Sequence, residues 1–303
     1  MQCEVSVVVP THKRPELMKL AVESILNQGA TRTGEVIIVF DACPIEVPDV
    51  EVPDGWSVRG ISNTRVRGLA GARNSGILDS TGDLIAFLDD DDEWLPGKLE
   101  AQLQRMDERP DAIAIATAMV LDDGENTHVR LVEKEDLSHE DFLRSRHPGI
   151  PSGALLFRRD VLLGPVGLID EDLPRAYGED YDLLLRASGH GTVTVVNEPL
   201  VKVRWQGQSY YFGQWAVYAE ALQYLLRKHP DIATIPSALG RIEAQIAFAL
   251  VANGQRKEGR QWAWRALRHN PKQVKAALAI AISWRLVSAD AVIRFVRSRG
   301  KGI

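Results

Sequence analysis

Two β-branched runs, Val5 to Val9 (VSVVV) and Glu35 to Phe40 (EVIIVF), flank a stretch from Pro15 to Gln28 in which Leu17, Leu20, Ala21 and Ile25 recur at helical spacing. That is a strand, helix, strand unit. Strands so uniformly apolar have no face to give to water, so the sheet they build must be covered on both sides, as a largely parallel sheet flanked by helices is. A strand around Trp56 to Ile61, a helix around Leu69 to Leu78 and a strand from Leu84 to Leu88 continue the alternation. In sheets of this kind ligands bind beyond the carboxyl ends of the strands. Three polar features fall there: Thr11 after the first strand, Asp41 after the second, and the consecutive aspartates Asp89 to Asp92 after the fourth.

Adjacent carboxylates repel one another, so gathering them requires a cation, hydrogen bonds or a helix N-terminus to offset the field. Asp89 and Asp91 lie two apart and in extended chain point to the same side. This gives a D-x-D arrangement, in which hard oxygen ligands hold Mg²⁺ or Mn²⁺ while phosphate oxygens complete the coordination. The alternative is a solvated turn in which Asp91 or Asp92 caps a helix running from about Leu95 to Met106. A cap needs one side chain, so a metal with a diphosphate is the expected occupant. Further on, Gly178-Glu179-Asp180 precedes an amphipathic stretch, Tyr181 to Ala187, and places two acids near a helix N-terminus, where negative charge is favoured. For Asp182, Glu171 and Asp172 helix capping is the expected role.

Gly68, Gly71 and Gly76 raise the rival of a dinucleotide fold, because glycine-rich turns cradle phosphates. No G-x-G-x-x-G follows the first strand, where PTHKRPE stands instead. Arg73, in the same segment, has either a phosphate partner or a solvated place on a helix face.

The segments VSVVVPTHKRPELMKLAVESILNQ, IIVFDAC, GLAGARNSGILDSTGDLIAFLDDDDEWLPGKLE and VGLIDEDLPRAYGEDYDLLLRAS follow one another over most of residues 4 to 188. Together they resemble the inverting nucleotide-sugar glycosyltransferases of family 2, in their order and spacing. The resemblance implies an α/β chain of GT-A fold, a Rossmann-like mixed, largely parallel sheet flanked by helices, over residues 1–211. By the same resemblance Pro10, Thr11 and Asp41 contact the nucleoside, Arg73 and Asn74 lie along the donor site, and Arg14 and Asp90 join the nucleotide-sugar contacts. Asp89 and Asp91 form the metal motif, and Asp180, accompanied by Glu179, is the catalytic base. A transferase that inverts the anomeric carbon needs a base facing the acceptor hydroxyl and an electrophile neutralising the departing diphosphate on the other side of the sugar. The donor implied is a nucleoside-diphosphate sugar, with uridine as the base. The acceptor implied is a glycan or lipid-linked saccharide of the cell envelope.

Two departures from the family pattern fall near the chemistry. Ala42 stands where a second acid follows IIVFD, and Gln206 or Gln208 stands where many relatives place a histidine near the metal. They motivate a second reading, a nucleotide-sugar-binding scaffold without turnover. His147 and His190 read as loop residues, and Trp205, Tyr210 and Tyr211 as either core or sugar-stacking groups.

Beyond about residue 212 the pattern becomes helical. Trp215 to Lys228, Ile242 to Asn253, Gly259 to Arg268 and Gln273 to Val287 carry Ala, Leu and Trp at helical spacing, broken at Pro230, Gly254 and Pro271. Residues 212–303 therefore read as a helical C-terminal domain, in which ALVANGQRKEGRQWAWRALRHNP resembles one tetratricopeptide-like helix pair. The loop from Asp122 to Gly149 is charged and carries no pattern.

The chain has 303 residues and a net charge of −5, and no nucleic-acid partner is expected. Arg256 to Lys301 nevertheless holds twelve Lys/Arg against Glu258 and Asp290. Such a segment can meet an anionic membrane surface, an acidic acceptor, or the acidic remainder of its own chain. Cys3 and Cys43 form neither a disulfide framework nor a metal finger. MQCEVSVVVPTHK lacks the basic start and apolar length of a signal peptide, and the apolar run Ala276 to Trp284 falls short of the ~20 residues a spanning helix needs. Cytoplasmic residence is expected, with the inner membrane face as a further possibility.

Overall fold

The computed structural model describes residues 3–29, 32–205, 213–289 and 291–292. The chain divides into two compact units: Met1–Phe142 with Arg146–Asp172 and Gly178–Ser209, and Leu143–Ser145 with Leu173–Tyr177 and Tyr210–Ile303.

In the first unit β1 (Val5–Thr11), α1 (Pro15–Leu26), β2 (Gly34–Phe40), β3 (Trp56–Ser62), α2 (Leu69–Asp79) and β4 (Leu84–Phe87) follow the alternation read from the sequence. β1 and β2 are buried at every residue, as strands covered on both faces must be. The remaining elements are β5 (Glu93–Trp94), α3 (Lys98–Glu108), β6 (Ala112–Asp122), β7 (Thr127–Arg130), β8 (Asp136–Leu137), α4 (His139–Arg144), β9 (Leu155–Arg158), α5 (Arg159–Leu163), α6 (Glu179–Ser188) and β10 (Thr192–Arg204). The sheet runs β3-β2-β1-β4-β9-β6-β10-β5, with β7 added to β6 and β8 to β10. β3, β2, β1 and β4 are mutually parallel, β9 is antiparallel to both its neighbours, and β6 and β10 are parallel. This is the mixed, largely parallel sheet of the expected GT-A class. The segment from Asp122 to Gly149, patternless in sequence, contributes β7, β8 and α4.

One expectation fails here. The helix after the aspartates begins at Lys98 rather than about Leu95, and its N-cap is Gly97 at φ 83°, so neither Asp91 nor Asp92 caps it. Glu93 and Trp94 pair with β10 instead, and Pro96 and Gly97 turn the chain before the helix can start.

The glycines of α2 serve close packing. A Cβ on Gly76 would lie 2.4 Å from Val8 Cγ1 in β1, and one on Gly71 would lie 1.8 Å from the Val66 carbonyl oxygen. Their absence lets α2 sink between the sheet and the preceding loop, and Ala70 to Ile77 is buried throughout.

The second unit holds α7 (Trp215–Lys228), α8 (Pro236–Ala252), α9 (Arg256–His269) and α10 (Val274–Ser283). Its core is built on small residues, Ala244, Ala247, Ala263, Ala266, Ala276 and Ala279, around Phe248, Val251 and Ile282. Glu243, fully buried, accepts from His269 at 2.6 Å and faces Arg265 at 3.0 Å. Among the described residues no helix is long and apolar enough to cross a membrane.

Substituting Gly71 by Ala should lower stability by about 1–3 kcal/mol through overpacking against a backbone carbonyl. A lower urea midpoint of the first unit measures this, and an unchanged midpoint would show that α2 has slack.

Candidate active site

The parallel register of β1 with β2 and β4 brings their carboxyl ends side by side, so Thr11, Asp41 and the aspartates meet at one rim. The four aspartates alternate. Asp89 and Asp91 keep side chains 31% and 38% exposed, whereas Asp90 and Asp92 are each 6% exposed. Thr11 Oγ1 donates to Asp90 Oδ2 at 2.8 Å, and Arg14 Nη1 donates to Asp90 at 3.0 Å and to Asp91 at 2.7 Å. Asp92 accepts from the Arg204 backbone amide at 3.1 Å. The inward pair is thus engaged by protein groups, while the outward pair keeps a partly open side.

Arg73 is 1% exposed and lies at the centre of the rim. One arm donates to Glu179 at 2.5 Å, while the other donates to Asp89 at 2.5 Å and to Ser152 Oγ at 2.8 Å. A single planar guanidinium therefore ties the D-x-D segment to the start of α6. Next to Glu179, Asp180 accepts two bonds of 2.9 Å from Arg146 Nη2. The Tyr181 hydroxyl, donating to the Phe142 carbonyl at 2.9 Å, anchors this helix start.

The charge balance is negative, because three guanidiniums, of Arg14, Arg73 and Arg146, face the carboxyls of Asp89 to Asp92, Glu179 and Asp180. Burial pushes the Asp90 carboxyl up to about 6, against the opposing pull of Thr11 and Arg14. Burial and then the charge of Asp89 raise Asp91. Asp92 is raised well above the carboxylate range by burial, then by Asp89 and Asp91. Burial, followed by the charge of Asp180, also pushes Glu179 up, to about 7, with Arg73 opposing. A divalent cation would relieve this excess. Two partly exposed carboxylates at alternate positions, though each accepts from an arginine, are hard oxygen groups that suit such an ion. Among the described residues no three His, Cys, Asp or Glu side chains converge to hold a metal. Gln206 and Gln208 lie outside the described residues, as do Tyr210 and Tyr211.

Beside the aspartates opens a cavity of about 140 Å³ lined by Thr11, Lys13, Arg14, Pro15, Met18, Phe40, Cys43, Pro44 and Glu46. It shares Thr11 and Arg14 with the carboxylate cluster.

A family model described as glycosyl transferase family 2 matches residues 6–163, which run from β1 through α5 and include Arg73, Asp89 and Asp91. The chain belongs to glycosyl transferase family 2. A glycosyltransferase of Haemophilus influenzae is 30% identical over 201 residues, covering 64% of this chain and 66% of the relative. The GalNAc(5)-diNAcBac-PP-undecaprenol beta-1,3-glucosyltransferase of Campylobacter jejuni is 28% identical over 154 residues, 48% of this chain and 49% of its own. The chain thus spans between about half and two thirds of these relatives' lengths. Among solved structures, S. aureus TarS 1-349 in complex with UDP-GlcNAc superposes with a TM-score of 0.57 at 14% identity, covering 98% of this chain and 92% of that 1-349 fragment. This likeness is one of fold.

Other candidate residues of this family 2 member have structural partners. Pro10 is buried in β1. Asp41 accepts from Asn63 Nδ2 at 2.7 Å and from the Gly68 amide at 3.0 Å, so it braces the loop before α2, and Ala42 beside it takes the left-handed region at φ 51°. Asn74 donates to the Ile169 carbonyl at 2.8 Å and accepts from the Ile169 amide at 2.9 Å, which fixes the loop leading toward Asp180. Arg73 is therefore neither solvated nor turned to open space. Glu171 and Asp182 do not cap helices: the first accepts from Arg65 and Asn74, and the second, fully buried, pairs with Arg186 at 2.9 Å. Sequence reasoning passed over Arg146 and Ser152, because their partners stand 34 and 79 or 63 positions away and no local pattern marks them.

Replacing Arg73 by Met should cost about 3–5 kcal/mol, because Asp89 and Glu179 lose their shared partner in a buried place. Lys should not restore the loss, since one ammonium cannot span both acids; urea unfolding of the three proteins decides this. A carboxyl raised in the folded state binds its proton more tightly there than in the unfolded chain. Asp90's own contribution to stability therefore falls as pH rises from 3.8 to about 6. Asp90→Asn should accordingly gain on the wild type across that window in metal-free buffer, and a pH-independent difference between the two would refute it.

Proposed function

We propose that the chain is an inverting glycosyltransferase, passing a hexose from a nucleoside-diphosphate sugar, with uridine as the base, to a hydroxyl of a glycan or lipid-linked saccharide of the cell envelope. The observation that carries this reading is the Arg73 bridge, which holds Asp89 of the D-x-D pair and the Glu179-Asp180 corner within the span of one side chain. A leaving-group site and a base are thereby kept at a fixed separation, as single displacement requires.

In this reading the cavity between Phe40, Pro44 and Thr11 takes the nucleobase, and Arg14 lies between it and the diphosphate. Asp89 and Asp91 would hold Mg²⁺ or Mn²⁺, which when bound offsets the charge of the departing diphosphate. The acceptor oxygen forms its bond to C1 as the bond from C1 to the diphosphate oxygen breaks. The electron pair leaves with the nucleoside diphosphate, and the hydroxyl proton passes to Asp180. Arg146, gripping both Asp180 oxygens, sets the direction from which that carboxylate meets the hydroxyl. Support for uridine comes from the fold shared with TarS bound to UDP-GlcNAc, and support for a lipid-linked acceptor from the C. jejuni relative's undecaprenol substrate. The chain would work in the cytoplasm, at the inner face of the membrane that carries such an acceptor.

Asp180→Asn should lower transfer about 10²–10⁴-fold while leaving the donor-induced thermal shift in Mn²⁺ nearly intact. Transfer at near wild-type rate would assign the base elsewhere. Chelation should abolish turnover and Mn²⁺ restore it; donor binding with no turnover on a broad acceptor panel would favour a scaffold.

A further inference from the structure

The outer side of the helical unit combines side chains that packing among the described residues does not explain. α10 is apolar on opposite faces. Ala276, Ala279 and Ile282 enter the core, whereas Val274, Ala277, Ala281 and Trp284, at spacings of three, four and three, face the other way. Val274 is 69% and Trp284 64% exposed. A helix apolar all round is normally enclosed, yet this one is bare along a stripe.

α9 runs beside it and turns out Lys257, Gln261, Trp264 and Arg268, at spacings of four, three and four, with Trp264 55% exposed. The two stripes meet at Arg260, whose guanidinium lies 5.2 Å from the centre of the Trp284 ring. Leu286, 76% exposed, follows two residues later. From Arg256 to Val287 the sequence holds eight Lys/Arg and one acid, Glu258.

Exposed indoles and aliphatics interleaved with cations match a lipid headgroup layer, where rings enter the acyl boundary and cationic heads stay with the phosphates. A second copy of the chain would set this basic face against itself, and charge repulsion opposes that pairing. An acidic protein would answer the cations but has no stated use for the bare apolar stripe.

We propose that the α9–α10 face seats the protein on an anionic membrane surface, with Trp264, Trp284 and Leu286 entering the headgroup region and Lys257, Arg260 and Arg268 meeting lipid phosphates. The proposal deepens the reading of a lipid-linked acceptor and rests on it for its purpose. Its test uses neither donor nor acceptor, so a failure here leaves the transferase reading standing.

The experiment is sedimentation of the full chain with vesicles of phosphatidylglycerol and phosphatidylcholine, compared with phosphatidylcholine alone. Binding is expected to the anionic vesicles and to weaken with added salt. Lys257→Glu with Arg268→Glu should reduce partitioning about fivefold for each charge removed. Trp264→Ser with Trp284→Ser should reduce it while circular dichroism and the urea unfolding midpoint stay near those of the wild type. The proposal is overturned if the chain ignores anionic vesicles, binds neutral ones equally, or binds undiminished in both double variants. A concentration-dependent dimer abolished by the tryptophan changes would overturn it as well, in favour of a second copy.

Discussion

The buried guanidinium of Arg73 is the interaction around which the rest of the catalytic rim is arranged. Its two acidic partners stand 16 and 106 positions away in sequence, and it reaches both through bonds of 2.5 Å. Sequestering three charges is costly unless each is answered in good geometry, and a planar fork with separate donors meets that condition where an ammonium does not. The demand propagates outward. α2 must lie deep enough to deliver Arg73, and the missing side chains at Gly71 and Gly76 allow that depth. The loop carrying Ile169 must return to α2, and Asn74, one residue along, holds it by its backbone.

A second arrangement surrounds this bridge. The loop before α2 is braced by Asp41 through Asn63 and Gly68, and the turn after β1 is held to the carboxylate run through Thr11 and Arg14. The rim is therefore tied crosswise between strand ends and does not rely on any one loop for its shape. Net negative charge at its centre remains, and burial followed by that charge raises several carboxyls at once. An excess of this kind would favour a cationic guest, and it weighs on stability without one.

Much of this was legible in the chain, and the misses have physical causes. The β-branched runs of β1 and β2 announced a doubly covered sheet, and the small-residue helix α2 was placed almost to the residue. β6, AIAIATAMVLD, and β10 passed unremarked, because alanine gives little strand signal and their pairing is long-range. The helix at Lys98 was set too early because Pro96 and Gly97 were weighed less than the apolar spacing that follows. Thr11, Asp41 and the aspartates Asp89 to Asp92 were recognisable as one place from strand ends alone, whereas Arg14 came only with the family resemblance. The partnership of Arg73 with Glu179 was not, since a helical arginine looks the same in sequence whether it faces water or an acid a hundred positions on.

The alternation within the aspartate run has a consequence for how such a site can change. The run is a turn, closed by the Asp92 amide donating to the Asp89 carbonyl at 3.1 Å, and it leaves Asp89 and Asp91 partly exposed while Thr11, Arg14 and the Arg204 amide hold Asp90 and Asp92. Exchanging one residue type for another alters a single contact, but losing or gaining one residue within the run would break the turn's closing bond and move every carboxylate past its partner. What the lineage of such a chain must preserve is therefore the phase of the segment, a property of length that no tally of its acids records.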